Sequence, residues 1–443
     1  MVWTAVARHF GWVWLIGLIG TGLSGMVWAQ SPAQPAQAGM RFVHNYTVEE
    51  YKAADQNWVV IQDLRGVMYF ANNNGVLEYD GATWRSILVP NRSPVRALAM
   101  DAQGRVFVGG ANELGYLAPD EQGQQQFVSL LEFIPEFAHR FADVLRMYAT
   151  PDGVFFQTSH FFFIWDGQRM TVIRPALAGD TFSDCQEINH EIFLVEPSRG
   201  LVKLFHRTLQ PVPGGQWLKE KRLSGLLPMP DGNRLAVVRG EGLLLYDGQS
   251  FTPFAPDLSK ALALWDPLHT LVLPDGRFAI ATRIHGVVIL RPDGTLDEVI
   301  GKTAGLQSKL VHFLSLDRSG NLWMALDKGL ARAELISPFT CFDERLGIED
   351  VVQGFTEHAG RYYIATANRL YVWDPQLSSP VDSPRLQSIP EPVTNCFGFG
   401  AVGNDLFVAT AKRPSGNTSV WSGSQRANSL ERSGAKGVKL CPS

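Results

Sequence analysis

The sequence predicts an all-β fold: a β-propeller of four-stranded blades with nine recognisable repeats. Three observations carry this. First, one phrase recurs: an apolar run, an Asp/Gly turn, a second apolar run, a small or polar break, and a third run. Its clearest copy runs from Ser315 through Asp317, Gly320, Trp323, Asp327 and Gly329 to Leu330. Second, the turns recur at Asp63/Gly66, Asp101/Gly104, Asp152-Gly153, Asn189-His190-Glu191, Asp231-Gly232, Asp275-Gly276, Asp317/Gly320, His358/Gly360 and Gly403-Asn404. Their mean spacing is about 42 residues, the length of one four-stranded propeller blade. Third, the runs are short and β-rich, as in Val106–Val108, Val154–Phe156, Leu243–Tyr246 and Val287–Leu290. Helices would need apolar residues at i, i+3 and i+4. Short runs bounded by Gly, Asp and Pro read as strands joined by hairpins.

The elements follow in order. Arg8 and His9 precede an apolar, glycine-rich run from Gly11 to Gly25, and Val27-Trp28-Ala29 offers a small residue for cleavage. Residues 1–29 therefore read as a secretory signal peptide, with an uncleaved anchor as the alternative. Either way the expected location of the repeats is periplasmic. Residues 30–40, with Pro32 and Pro35, read as a flexible spacer. Phe42–Tyr46 is an isolated β-like segment, suited to completing the last blade and removing its free edge. Seven repeats fill 41–335 and make one propeller. Repeats eight and nine, in 336–410, begin a second; a single larger ring is the alternative. The ninth repeat breaks after Leu406–Thr410. From 411 to 443 six basic residues stand against one acid, and periodicity vanishes. That tail reads as irregular, a truncated or frameshifted end.

Composition excludes some functions. With 45% hydrophobic residues and a net charge of −4, the chain is globular and has no basic stripe for nucleic acid. Cys185, Cys341, Cys396 and Cys441 show no metal-ligand spacing and read as free thiols. No metal or cofactor is expected. Gly398-Phe-Gly400-Ala-Val-Gly403 fits a dinucleotide fingerprint, but a strand follows it, so it reads as a blade hairpin. Trp165-Asp166-Gly167 and Trp373-Asp374 close third strands, as Tyr79-Asp80-Gly81 and Tyr246-Asp247-Gly248 do. There is no G-x-S-x-G elbow.

The copies at Gly305–Arg332 and Asp63–Gly81 resemble the two-component regulator propeller repeat. The resemblance covers roughly 41–410. It implies the extracytoplasmic sensor region of a bacterial receptor, not an enzyme, with the output domain absent from this chain. A homodimer is among the expected partners. Two other readings stand beside it: a propeller enzyme of lyase or lactonase type, and an interaction scaffold without a small ligand.

Blade geometry directs attention to one face. The Asp/Gly turns join first to second strands and lie on one face of a propeller. The second-to-third loops and the starts of the innermost strands lie on the other. The candidate mouth gathers Trp58, Arg96 and Arg146 from innermost strands. The loops add Asn72, Asn112, Glu113, His160, Arg239, Arg283, His285, Lys328 and Arg369. Such a set can hydrogen-bond hydroxyls and carboxylates while an aromatic ring stacks on a sugar face. The expected partner is a small-molecule or glycan ligand, and the excess of arginine favours an anionic one.

Overall fold

The computed structural model describes residues 40–337, 339–374, 386–389, 396–402, 405–410 and 438–442. The predicted signal peptide and most of the predicted spacer and tail lie outside them. Among the described residues no helix is long and apolar enough to cross a membrane.

Six four-stranded antiparallel sheets follow one another in chain order, over 57–87, 95–129, 146–173, 184–211, 223–253 and 267–300. The seventh is made of Val311–Leu316, Leu322–Leu326 and Leu330–Ala333, and takes its fourth strand from the start of the described chain. Val43–Tyr46 pairs antiparallel with Leu330–Ala333, from Val43 opposite Ala333 to Tyr46 opposite Leu330. The segment read as an isolated closing strand is therefore in place. It covers the edge that Leu330–Ala333 would otherwise expose.

Packing shows that these seven sheets close on themselves. The first strand of each lies against the first strands of its neighbours, and Asn57–Gln62 touches both Val95–Met100 and Val311–Leu316. Each gap between neighbouring sheets holds its own buried apolar cluster. Sheets 3 and 4 share Phe155, Phe162, Cys185 and Leu194. The closing gap joins Tyr46, Trp323 and Leu330 of sheet 7 to Val60, Phe70 and Leu77 of sheet 1. Tyr46 stacks on Trp323 at 5.2 Å between ring centroids. A single larger ring is not what forms.

The repeated aspartate explains the repeated turn. Asp317 Oδ1 accepts from the backbone N–H groups of Ser319 and Asn321, and Oδ2 accepts from Trp323 Nε1 at 3.0 Å. Asp63 accepts likewise from Arg65 and Val67, and Asp101 from Gln103 and Arg105. A short side chain that satisfies the turn's own backbone is the reason Asp belongs there. Gly320 completes the turn at φ 76°, a conformation that costs glycine little.

The eighth sheet comprises Val352–His358, Arg361–Thr366, Leu370–Trp373 and Gln387–Ser388. The ninth pairs Cys396–Val402 with Asp405–Thr410, so the glycine fingerprint does form a hairpin strand. The expectation of an irregular tail is corrected at Val438–Pro442, which forms a third strand. It runs parallel to Asp405–Thr410, whereas every other strand pairing among the described residues is antiparallel. A hairpin cannot produce that direction. The open edge of Asp405–Thr410 recruits a distant extended segment instead.

Candidate ligand-binding mouth

One irregularity builds the mouth. In sheet 1, Asn57 opposes Asn72 and Val59 opposes Ala71, so Trp58 is an extra residue in a β-bulge. The same shift falls at Arg96 in sheet 2, Ser224 in sheet 5, Leu268 in sheet 6 and His312 in sheet 7. In sheet 3, Leu145 N–H donates to the Gln157 carbonyl while Arg146 pairs with the same Gln157. In sheet 4, Ser183 and Asp184 share Val195 in this way. A bulge re-aims a side chain out of the strand's alternation. Repeated seven times, it sets Trp58, Arg96, Arg146, Asp184, Ser224, Leu268 and His312 at equivalent places on the innermost strands.

Contacts between sheets confirm that several of these share one opening. The Arg96 guanidinium lies 4.3 Å from the centre of the Trp58 ring, and the His312 ring lies 4.5 Å from it. Arg146 of sheet 3 donates to the Leu268 carbonyl of sheet 6 at 3.5 Å. Trp58 was expected to offer a face to a sugar. That is corrected: its ring already carries Arg96 and His312.

A directed chain of hydrogen bonds orients the His312 side. Indole N–H can only donate, and Trp58 Nε1 donates to Asn73 Oδ1 at 2.8 Å. Asn73 Nδ2 donates to Gln56 Oε1 at 3.1 Å. The Gln56 amide nitrogen therefore faces His312 Nε2 at 3.2 Å, and that ring nitrogen accepts. The proton of neutral His312 sits on Nδ1. Burial, together with the charges of Arg283, Arg146 and Arg96, pushes its pKa down to about 4 against the opposing pull of Asp327.

The remaining arginines are paired. Arg96 Nε stands 3.1 Å from the Asp143 carboxylate. Asp266 receives Arg239 at 2.6 Å and Arg283 at 2.5 Å. Burial works against its ionisation, yet these two guanidinium groups hold its carboxyl below the usual range. Asp266 follows the helix Pro256–Trp265, which joins sheets 5 and 6, starts with proline, and buries Leu262. The helix also places Trp265 4.5 Å from the His285 ring.

Other predicted residues fall elsewhere. Asn72 is fully buried and holds the backbone carbonyls of Ala54 and Gln56 and the side chain of Asn57, so it is a structural group. Glu113 is buried against Ser129, and burial raises its pKa. Arg369 belongs to the eighth sheet, outside the ring. Asn112 takes φ 51° and accepts from Ala142 N–H, a turn role. His160 and Lys328 are exposed on loops of sheets 3 and 7. Sequence reasoning missed His312, although His312 precedes Asp317 by the same offset that separates Trp58 from Asp63 and Arg96 from Asp101. Asp143, Asp266 and Gln56 lie in connections of unequal length and carry no such signal.

No family model matches the sequence, and no curated protein matches it. Solved structures do share the fold. The extracellular domain of the hybrid two-component system BT3049 from B. thetaiotaomicron superposes with a TM-score of 0.60 at 16% identity, over 84% of this chain and 52% of that one. The extracellular domain of BT4673 from the same organism gives 0.52 at 14% identity, over 84% and 51%. The chain shares the β-propeller fold of these structures. The chain spans about half the length of those extracellular domains. The WD40 propeller of Doa1 gives 0.50 at 10% identity, over 68% of this chain and 97% of that one.

Proposed function

We propose that this chain is the extracytoplasmic, ligand-sensing propeller portion of a bacterial signal-transduction receptor, with the mouth of the seven-sheet ring as its ligand site. The observation that carries the reading is the repeated bulge, which brings Trp58, Arg96 and His312 into contact around one opening. The fold shared with receptor ectodomains supports it. Sheets 8 and 9 would begin a second ring, and a ligand would act by favouring one arrangement of rings or protomers. Binding is favoured over catalysis because the mouth carboxylates Asp143, Asp184 and Asp266 are each committed to arginines and not poised as general bases.

A calorimetric titration with neutral and acidic oligosaccharides tests this. At least one should bind, and Arg96→Gln or His312→Gln should weaken it about tenfold. Binding that survives both changes would move the site elsewhere. A second reading, a protein-docking surface, draws on the apolar residues Ile336, Phe339 and Val351, which are each more than 70% exposed on the segment leading to sheet 8.

A further inference from the structure

We propose that the throat of the ring takes a small oxyanion, a carboxylate or sulfate group, anchored by Arg146; this rests on the mouth being the ligand site. The argument begins with pairing. Arg96 has Asp143, Arg239 and Arg283 share Asp266, and Arg222 has Asp184 at 3.1 Å. Among the described residues no carboxylate lies within ion-pairing distance of Arg146. Its guanidinium meets only two backbone carbonyls, Leu145 at 3.2 Å and Leu268 at 3.5 Å. Asp184, at the next bulge, is held by Arg222 and by the Leu223 N–H.

A guanidinium has donors and no acceptor. Arg146 is half-buried without a counter-charge, which costs part of its hydration, and an anion with fork-shaped geometry relieves that cost. The neighbouring group has the same polarity. The chain from Trp58 through Asn73 and Gln56 occupies His312 Nε2, which leaves Nδ1–H as the ring's remaining donor. The charges of Arg283, Arg146 and Arg96 all act on His312, opposed by that of Asp327. A pocket of about 280 Å³ lies elsewhere. It lies at the closing strand, between Phe42, His44, Tyr46, Tyr79, Arg332 and Glu334, where the guanidinium already has Glu334.

The test is a titration of the full chain with sodium sulfate, sodium acetate and sodium glucuronate at pH 7, against sodium chloride at matched ionic strength. Saturable one-site binding of an oxyanion is expected. Preference for sulfate or for the two carboxylates identifies which group the site takes. Arg146→Gln should weaken it about tenfold, and Arg146→Lys, which keeps the charge but loses the fork, a few-fold. Arg207→Gln, an equal change of charge at the exposed Asp166 pair, should leave it unchanged. If Arg146→Gln does not fold, Arg146→Lys and the His312 ring NMR shift on anion addition decide. No saturable difference from chloride, or an equal loss in Arg207→Gln, overturns the proposal. Neutral sugars binding at an Arg96-sensitive site without anion binding would sink the oxyanion and spare the mouth. Binding of neither would sink both.

Discussion

The closed ring and the two sheets after it are built from one repeat but meet different surroundings. In the ring every innermost strand lies between two others, and apolar clusters fill all seven gaps. Beyond it, among the described residues, Val352–His358 packs against the innermost strand of one other sheet, Cys396–Val402. Phe355 on that strand is 50% exposed, while Trp323 in the ring is 3% exposed. The bulge persists in both regions, recurring between Val352 and Gly354 and between Cys396 and Gly398. Local geometry therefore belongs to the repeat, whereas burial of the innermost strand belongs to closure.

Four measurements can break or sharpen this contrast. The largest effect is expected from deleting residues 40–46. Sheet 7 then loses its fourth strand and the closing cluster loses Tyr46, so the ring should lose its cooperative melting transition in calorimetry. Removing 396–443 should move that transition by less than about 3 °C. A large shift there would mean that the ring depends on the later sheets.

Next, Trp323→Ala should cost about 3–5 kcal/mol in denaturant melts, since it empties the closing gap beside Tyr46 and Phe70. Phe355→Ser should change stability by less than about 0.5 kcal/mol and raise solubility. Comparable costs at the two positions would contradict the burial difference.

Third, Asp317→Ala leaves the N–H groups of Ser319, Asn321 and Trp323 without their acceptor. The expected loss is about 1–3 kcal/mol, with faster amide exchange confined to that turn.

The smallest effect concerns pH. Unfolded, an imidazole titrates near 6.5, while folded His312 does so near 4. The unfolded chain therefore takes up the proton first, and stability is lost as pH falls from about 6.5 to about 4. Because the His312 side chain is only partly buried and solvent screens the charges that reach it, the loss is about 1–2 kcal/mol. His312→Gln should flatten that stretch of the stability curve. An unchanged slope would remove His312 as its source.

Much of this was legible in the residues. The aspartate turns, strand lengths and third-strand closures depend on a few neighbouring residues, and Asp317, Trp165 and Tyr246 behave as their positions imply. The mouth was half legible. Trp58, Arg96 and Arg146 follow from their offset within the repeat, and His312 could have followed in the same way. Asn72 and Glu113 misled because a polar residue beside a loop can turn inward when backbone groups there need partners.

By itself the sequence determined the blade, its turns and the presence of a spare β-segment at Val43–Tyr46, because each is written in a few neighbouring residues. Only the tertiary structure decided that seven blades close and that Val43 lies opposite Ala333. It alone showed that Arg146 reaches Leu268, and that Asp143 and Asp266 neutralise the arginines around it. Those outcomes join residues far apart in the chain, and their partners are set by how the sheets pack around the channel.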